Sequence, residues 1–281
     1  MYLKFFEILW LIFRFKGAII LKEVMKVLAE ERHQIILNLL KTNSIVKLQD
    51  ICEQTQCSES SARRDLQLLE EQGLLVRVHG GAKIKYSLQR ELDMTGKASR
   101  NTQEKAAIAT AAQAHVQAED VIYLDAGTST LALISSLNPS LQLTVVTNGV
   151  MHASLLADRG IRTILVGGEL KNTTKAIVGV EAVEALKKYR FNKTFLGING
   201  IHPKYGYTTP DPDEAAVKAV AIEQSEQVYV LADSSKFDAV SFVKVAEIGQ
   251  ATIITSKLPQ RIAGQYSNQT TIQEVLTWFI R

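Results

Sequence analysis

Residues 58–82 read SESSARRDLQLLEEQGLLVRVHGGA, a helical pattern that passes directly into a strand pattern. Ser58 is a good N-cap because its side-chain oxygen can accept a hydrogen bond from the first helical turn, where Glu59 is favoured by the helix dipole. The helix should run to about Gln72, since glycine at position 73 is a common stop signal. Its inward stripe has apolar residues at helical spacing: Ala62, Leu66 and Leu69.

The strand pattern of residues 74–82 alternates and ends in a glycine turn, which predicts a β-wing. Upstream, apolar residues recur at helical spacing from Arg32, and the polar run 42–44 breaks that helix. A second short helix ends at the tight connection 55–57. Its inward residues are Leu48, Ile51 and Cys52. Residues 25–82 are therefore predicted to form a winged helix-turn-helix.

The outer face of the third helix carries short hydroxyls and two arginines near its start. Arginine can pair with guanine edges or phosphates, and serine can contact either, so this face suits the major groove of double-stranded DNA. From the wing, Arg77 could reach a phosphate or the minor groove. The alternative is a structural three-helix module with a solvated charged face. The predicted DNA-binding residues are Ser58, Ser60, Ser61, Arg63, Arg64, Arg77 and His79.

Composition excludes little by itself. The 281 residues carry a net charge of +3, a basic excess too small to demonstrate nucleic-acid binding. The two cysteines, Cys52 and Cys57, fit neither a zinc finger nor a disulfide framework, which favours a reducing cytoplasm. The five histidines are scattered without metal-ligand spacing. We therefore expect no metal and no cofactor.

Residues 1–24 differ from the rest of the chain, being rich in Phe, Ile, Leu and Trp. Charged residues interrupt the apolar run, so it does not fit a transmembrane helix, and it lacks the usual cleavage site of a signal peptide. Three interpretations remain: a basic interfacial helix, an extra helix packed on the body, or translation that begins at Met25. We favour the last.

Residues 83–101 are polar and without a clear period, as expected of an interdomain linker. An alanine-rich helix follows from about Thr102 to Val116. Beyond it, apolar runs of strand length alternate with stretches that suit helices, which predicts a largely parallel sheet covered on both faces. The predicted strands are 121–124, 143–146, 163–166, 193–196 and 227–231. The second domain, residues 102–281, is thus expected to be α/β.

Small polar residues follow the predicted strands, and the carboxyl ends of parallel strands are where open α/β sheets bind ligands. Glycines let backbone N–H groups approach an anion, and a helix N-terminus adds partial positive charge. These loops predict a pocket for a phosphorylated, polyhydroxylated ligand. The predicted effector-binding residues are Asp125, Gly127, Thr128, Ser129, Thr130, Thr147, Asn148, Gly197, Asn199, Gly200, Glu214, Lys218, Asp233 and Lys236.

Each of these loops alone is weak evidence. Gly127 to Thr130 fits an ordinary capped turn, Lys236 fits a solvated surface lysine, and acids near Glu214 fit helix capping. The prediction rests on the combination of these loops, because most of them end strands and should converge on one edge of the sheet. The chain has no full P-loop and no dinucleotide-binding glycine motif, which disfavours nucleotides.

The chain resembles the DeoR family of bacterial regulators. The N-terminal resemblance rests on the run from Ser58 to Leu66 and on Arg77 to Ala82, although the family usually has Thr-Ile where this chain has Ser61-Ala62. The resemblance covers residues 25 to about 250. It implies a sensor domain similar to ribose-5-phosphate isomerase. The stretches that match its pocket motifs are 125–130, 147–148, 197–200 and 233–236.

Within that family the chain looks most like the fructose-operon repressors of Gram-positive bacteria. The residues behind this are 123–128, 167–176 and 206–212. The resemblance implies a transcriptional repressor of fructose uptake and utilisation genes, with fructose 1-phosphate as effector. We expect operator DNA as partner, no membrane, and a cytoplasmic homo-oligomer, because operator recognition by a winged helix usually needs two modules in a fixed mutual spacing.

Two other functions compete with this interpretation. One is a sugar-phosphate isomerase with an attached DNA-binding module, in which Asp125, Glu214 and Lys236 would supply acid–base groups. The other is a membrane-tethered regulator that uses residues 1–24. We favour a regulator that is not an enzyme, since a winged helix argues against a purely metabolic role.

Overall fold

The computed structural model describes residues 29–43, 45–72, 74–84, 88, 94–266 and 268–275. These residues fall into two compact units, divided between residues 86 and 87. The expectations for residues 1–24 and for Gly73 lie outside the described residues.

The described part of the first unit contains three helices and a three-stranded antiparallel sheet of order β1-β3-β2. The predicted helices and wing are present, whereas β1 was not expected. The elements are α1 (Ala29–Asn43), β1 (Ile45–Lys47), α2 (Leu48–Thr55), α3 (Glu59–Glu71), β2 (Leu75–Val78) and β3 (Gly81–Ile84). The three helices with the β2–β3 hairpin form the predicted winged helix-turn-helix.

One apolar core holds this unit together. The predicted inward stripe of α3 is buried, together with Ile36 and Leu40 of α1, Ile51 of α2 and Leu75 of β2. The wing needs glycine at position 81, because a Cβ there would lie 2.0 Å from the carbonyl oxygen of Val46 in β1. The Gly81 contact lets β3 lie directly against β1.

The second unit alternates strands and helices. Its described elements are α4 (Met94–Ala98), α5 (Thr102–Gln113), β4 (Val121–Leu124), α6 (Thr128–Ser136), β5 (Thr144–Thr147), α7 (Val150–Asp158), β6 (Arg162–Leu165), β7 (Glu169–Leu170), β8 (Ile177–Val178), α8 (Val180–Leu186), β9 (Phe191–Leu196), β10 (Gly200–His202), β11 (Gly206–Thr209), α9 (Pro212–Glu223), β12 (Ser225–Ala232), β13 (Val243–Ala246), β14 (Thr252–Ser256), α10 (Gln260–Tyr266) and β15 (Ile272–Val275). Residues 94–101, expected to belong to a linker, instead form α4 and the turn into α5.

Seven of the described strands form one parallel sheet, of order β15-β14-β12-β9-β4-β5-β6. The strand order reverses between β4 and β9: the chain builds outward through β5 and β6 on one side, and through β12, β14 and β15 on the other. In open parallel sheets, such a switch point leaves a crevice at the carboxyl ends of the two central strands.

Helices cover both faces of this sheet, as predicted. Successive residues of β4 point to opposite faces, because side chains alternate along a strand: Tyr123 lies in one core, and Ile122 and Leu124 in the other. Helices α8 and α9 pack on the first face, and α5 and α6 on the second. The predicted α/β class is therefore confirmed. Small antiparallel pairings, β10-β11-β13 and β7-β8, lie outside the main sheet and were not predicted.

Candidate functional site

The start of helix α3 presents a cluster of hydroxyls. Ser58 caps the helix, its Oγ accepting a hydrogen bond from the Ser61 amide at 3.3 Å. The same Oγ lies 2.9 Å from the Ser60 Oγ and 3.0 Å from the Ser61 Oγ. Ser58 and Ser60 are exposed and Ser61 is half-buried. These hydroxyls stand at the positive end of the helix, which suits contact with a phosphate.

The two arginines of α3 are exposed and weakly held. Arg63 donates to the Glu59 carboxylate at 3.3 Å, and the Arg64 Nε donates to the Ser60 carbonyl oxygen at 3.4 Å. Exposed ion pairs of this kind contribute about 0–1 kcal/mol. Both guanidinium groups can therefore exchange these contacts for DNA at little cost.

The wing arginine is held more firmly. Arg77 donates from its backbone N at 2.8 Å and from its Nε at 2.6 Å to the two carboxylate oxygens of Glu70 on α3. These hydrogen bonds, backbone first, lower the pKa of Glu70. Arg77, Arg63 and the exposed His79 border one groove between α3 and the wing. The seven predicted DNA-binding residues thus form two neighbouring groups, the serines at the helix start and the groove, with Arg64 exposed on the helix.

A buried carboxylate lies on the inner side of α3, the predicted recognition helix, and was not predicted to have a structural role. Asp65 of α3 is 6% exposed and accepts hydrogen bonds from the Arg32 Nε at 2.8 Å and Nη2 at 3.0 Å. The His33 Nε2 lies 3.1 Å from the same carboxylate. The hydrogen bond to Asp65 raises the pKa of Arg32. This cluster fixes α3 against α1.

The second site is a cavity in the other unit, at the carboxyl ends of β4 and β9, where the strand order reverses. Ten of the predicted effector-binding residues line it: Asp125, Gly127, Thr128, Ser129, Gly197, Asn199, Glu214, Lys218, Asp233 and Lys236. The loops after β4, β9 and β12 thus meet at one edge of the sheet, as the strand-end pattern predicts.

The floor of this cavity is largely main chain. A Cβ on Gly127 would lie 3.3 Å from the Cα of Gly197, so the loops after β4 and β9 almost touch. Asp125 joins them: its Oδ2 accepts a hydrogen bond from the Gly197 amide at 3.1 Å and from the Lys218 Nζ at 2.5 Å. Helix α6 begins at Thr128 beside this floor. Its N-terminus adds partial positive charge where an anion would sit.

Four predicted residues do not line the cavity: the polar side chains of three of them hold the loops from behind, and the fourth is a glycine of the small antiparallel sheet. The Thr130 hydroxyl donates to the Asp125 carbonyl oxygen and lies 2.8 Å from that of Gly127, and the Thr147 hydroxyl donates to the Leu124 carbonyl oxygen. The remaining two are Asn148, whose Oδ1 accepts from the Ala126 amide, and Gly200, packed against Ala239 and Thr208 in the small antiparallel sheet. The structure therefore does not support direct ligand contact by these four residues. It supports a role for them in shaping the loops.

A second charged group borders the cavity around Glu214 of α9. Glu214 is 6% exposed, and its Oε1 accepts hydrogen bonds from the Lys171 Nζ at 3.1 Å and the Thr174 Oγ1 at 2.8 Å. Lys171 also pairs with Asp211 at 2.9 Å, which caps α9. Glu214 is therefore held as an oriented acceptor, a suitable partner for sugar hydroxyls.

Another part of the cavity lining is cationic, and most of its residues were not predicted from the sequence. Besides Lys236, this part contains Lys97, Arg100, Asn101 and Lys105. Burial lowers the pKa of Lys105 to about 8, against the attraction of Asp233 and with the repulsion of the other cations. Thr174 and Ser235 also line the cavity. The sequence does contain an indication of this cationic lining, namely three basic residues within positions 97 to 105. It was not used because residues 83–101 were interpreted as a linker.

His152 lies beneath the floor. It is 1% exposed, and its Nε2 lies 3.1 Å from both the Gly127 carbonyl oxygen and the Thr130 Oγ1. Burial lowers the pKa of His152 to about 4, against the opposing effect of Asp125. A neutral His152 therefore supports the Gly127 turn without adding charge.

Among the described residues, no group of three or more His, Cys, Asp or Glu side chains is placed to bind a metal.

Two family models match the chain. Residues 32–87 match the DeoR-like helix-turn-helix domain, and residues 100–257 match the DeoR C terminal sensor domain. The chain belongs to the DeoR family. Both matches fall on the units described above, with the recognition helix in the first and the cavity in the second. The DeoR resemblance drawn from the sequence is thereby confirmed.

Curated relatives are regulators of the same type. The chain is 45% identical over 248 residues to an uncharacterized HTH-type transcriptional regulator, FruR, of Bacillus subtilis, covering 88% of this chain and 99% of FruR. It is 34% identical to the HTH-type transcriptional repressor GlcR of the same organism, covering 83% of this chain and 90% of GlcR. This DeoR-family protein is therefore a DNA-binding transcriptional regulator, and the isomerase alternative is set aside.

Among solved structures, ribose 5-phosphate isomerase A of Methanocaldococcus jannaschii overlaps with 49% of this chain and 55% of its own, at 17% identity and a TM-score of 0.38. In the described part of the chain, no helix has the length and apolar character needed to span a membrane.

Proposed function

We propose that this DeoR-family regulator represses genes for fructose uptake and utilisation, and that a phosphorylated sugar, fructose 1-phosphate, releases it from its operator. The observation that carries the proposal is the cavity at the strand switch point. Five cationic side chains and three carboxylates line it: Lys97, Arg100, Lys105, Lys218 and Lys236, with Asp125, Glu214 and Asp233. This excess of positive charge suits an anion, and the carboxylates suit hydroxyls.

The two ends of such a ligand have separate partners. A phosphate is favoured where the N-terminus of α6, with Thr128 and Ser129, faces Lys236 and Lys105, since amides, hydroxyls and cations all stabilise its charge. The sugar hydroxyls would meet Asp125, Asn199 and Glu214. Asp125 and Glu214 are oriented by their existing hydrogen bonds, which lowers the entropic cost of binding.

The choice of fructose rests on the resemblance of residues 123–128, 167–176 and 206–212 to fructose-operon repressors. The relatives fit the regulatory role: FruR, 45% identical, is named as a transcriptional regulator, and GlcR as a repressor. We place the protein in the cytoplasm, where bacterial operators are. We also propose a homo-oligomer, because helix-turn-helix proteins commonly read two half-sites in fixed spacing, which requires two recognition helices.

A binding titration tests the proposal. The full chain is titrated onto DNA fragments from the promoters of the fructose uptake and utilisation genes of its source organism, with and without fructose 1-phosphate. Calorimetry measures binding of the sugar phosphate directly. We expect saturable binding and release of DNA by fructose 1-phosphate, and no effect of fructose or inorganic phosphate at the same concentration. Release by another sugar phosphate, and not by fructose 1-phosphate, would change the proposed identity of the effector. Absence of a response to every sugar phosphate tested would refute the sensor function.

A further inference from the structure

Residues 94–101 contribute side chains to the cavity and, apart from Leu88, are the described part of the second unit that lies nearest, along the chain, to the DNA-binding unit. Three of them reach the cavity: Lys97, Arg100 and Asn101. The site therefore contains side chains from the segment that leads covalently to the recognition helix. No strand-end loop of the sheet has that connection.

Both ends of this segment are attached to the cavity walls. The Met94 amide donates a hydrogen bond to the Thr173 carbonyl oxygen at 3.1 Å, and Thr173 precedes Thr174, which lines the cavity. At the other end, the Asn101 Nδ2 donates to the Asp233 Oδ1 at 2.9 Å. The two anchors are on different loops, so a change within the cavity acts on both ends of the segment.

The charges of the segment add to those already in the cavity. Burial lowers the pKa of both Lys105 and Lys236, and the positive charges of Lys97 and Arg100 lower both further. Asp233 is the carboxylate that opposes these shifts. Four cations thus repel one another across a small space. A doubly charged phosphate placed among them would attract all four and reverse the sign of that interaction.

We propose that residues 94–101 are the element through which the effector acts on DNA binding: the bound phosphate draws Lys97 and Arg100 inward and fixes the segment that leads to the recognition helix. This inference rests on the proposed sugar-phosphate function of the cavity. Lys97 and Arg100 carry the coupling, whereas Lys236, on the short helix after β12, contributes to ligand affinity without being part of the segment.

Coupling and affinity are separate quantities. The ratio of the operator dissociation constant at saturating ligand to that without ligand depends only on the coupling between the two sites, typically about 5- to 150-fold. A residue that merely binds the ligand changes the concentration needed for saturation and leaves this ratio as it was. A residue that transmits the effect changes the ratio itself.

The test compares three variants of the full chain. They are the double variant Lys97→Ala/Arg100→Ala, the pocket variant Lys236→Ala, and the control Lys187→Ala/Lys188→Ala, which removes two exposed charges from the turn after α8. Operator binding is measured by fluorescence anisotropy without ligand and with fructose 1-phosphate at saturation, which calorimetry establishes for each variant. We expect the ratio to fall towards one in the Lys97/Arg100 variant. Lys236→Ala should need more ligand yet reach the wild-type ratio.

Each outcome decides the matter. A wild-type ratio in the Lys97/Arg100 variant, reached at higher ligand concentration, would reduce both residues to ligand contacts and overturn the inference. Absence of fructose 1-phosphate binding to the wild type would instead remove the proposed function on which it rests. Hydrogen exchange on the wild type does not depend on variant folding: amides of residues 94–101 should gain protection when the ligand binds. Unchanged exchange with ligand bound would also overturn the inference.

Discussion

Asp65 of the recognition helix and Arg32 of α1, 33 positions earlier, form a two-pronged ion pair with N–O distances of 2.8 and 3.0 Å. The Asp65 side chain is 8% exposed and that of Arg32 is 17% exposed, so little solvent screens the pair. The pair joins α3 to α1. The surface of α3 that we propose meets DNA therefore depends on a contact on the inner side of the helix.

Asp65→Ala leaves the Arg32 guanidinium partly buried without its acceptor. We expect the free energy of unfolding of the first unit to fall by about 3 kcal/mol, since removing one member of a buried pair costs about that much. Urea titration with hydrogen exchange at residues 29–84 measures this unit separately. Arg63→Ala breaks an exposed pair on the same helix and should change stability by less than about 0.5 kcal/mol. Equal losses in the two variants would contradict the assignment.

Arg63→Ala and Arg64→Ala should weaken operator binding while the fold stays intact, because both side chains are exposed on α3. Loss of a base contact should cost about 1–3 kcal/mol and relax specificity, and loss of a phosphate contact should reduce the salt slope by about one. Anisotropy titrations at several salt concentrations distinguish the two. Wild-type affinity and slope in both variants would show that another surface reads the operator.

Lys236→Ala should remain folded and bind the operator, but resist release at fructose 1-phosphate concentrations that release the wild type. Lys236 lines the cavity beside Asp233, and its charge would contact the phosphate. Operator titrations with the ligand, alongside calorimetry, measure both effects. Lys244→Ala removes an exposed lysine from β13 of the same unit and should respond like the wild type. Unchanged ligand affinity in Lys236→Ala would remove this residue from the pocket.

His152 should make the second unit less stable in acid. Its folded pKa of about 4 lies below the ordinary value of 6.5, so between these values the unfolded chain takes up a proton that the folded chain does not. Stability should therefore fall as pH falls from 6.5 to 4, by up to about 3 kcal/mol from this residue. His152→Gln should lose that share of the slope in urea titrations across the window. An identical slope in the variant would show that His152 is not held neutral.

Local patterns predicted the first unit well, because its helices and wing follow from spacing, caps and glycines within short windows. Ala62, Leu66 and Leu69 are buried as the helical period requires. The same geometry places Asp65 beside that stripe, but its burial depends on Arg32, a partner that no local window contains. Strand β1 was missed for the same reason: its three residues become a strand by pairing with β3.

The candidate site was predicted where it follows from the strand-end rule. Loops after β4, β9 and β12 converge because parallel strands end at one edge, and their residues line the cavity. The rule cannot tell whether a polar side chain after a strand faces the cavity or the backbone behind it, and Asn148 faces the backbone. The strand-end rule also makes no prediction for Lys97 and Arg100, because they reach the cavity from a segment that follows no strand of the sheet.

Gly127 and Gly197 nearly touch, and this contact separates two roles in the proposed pocket, phosphate binding at the floor and sugar recognition at the walls. Main-chain amides at the floor would hold a phosphate together with the hydroxyls and cations of the walls, and a Cβ at either glycine would crowd the other loop. Discrimination between one sugar and another must then come from the walls, where residues such as Asn199 and Glu214 are replaceable singly. A fold arranged this way can change its signal molecule by a few substitutions while keeping the anchor that all such molecules share.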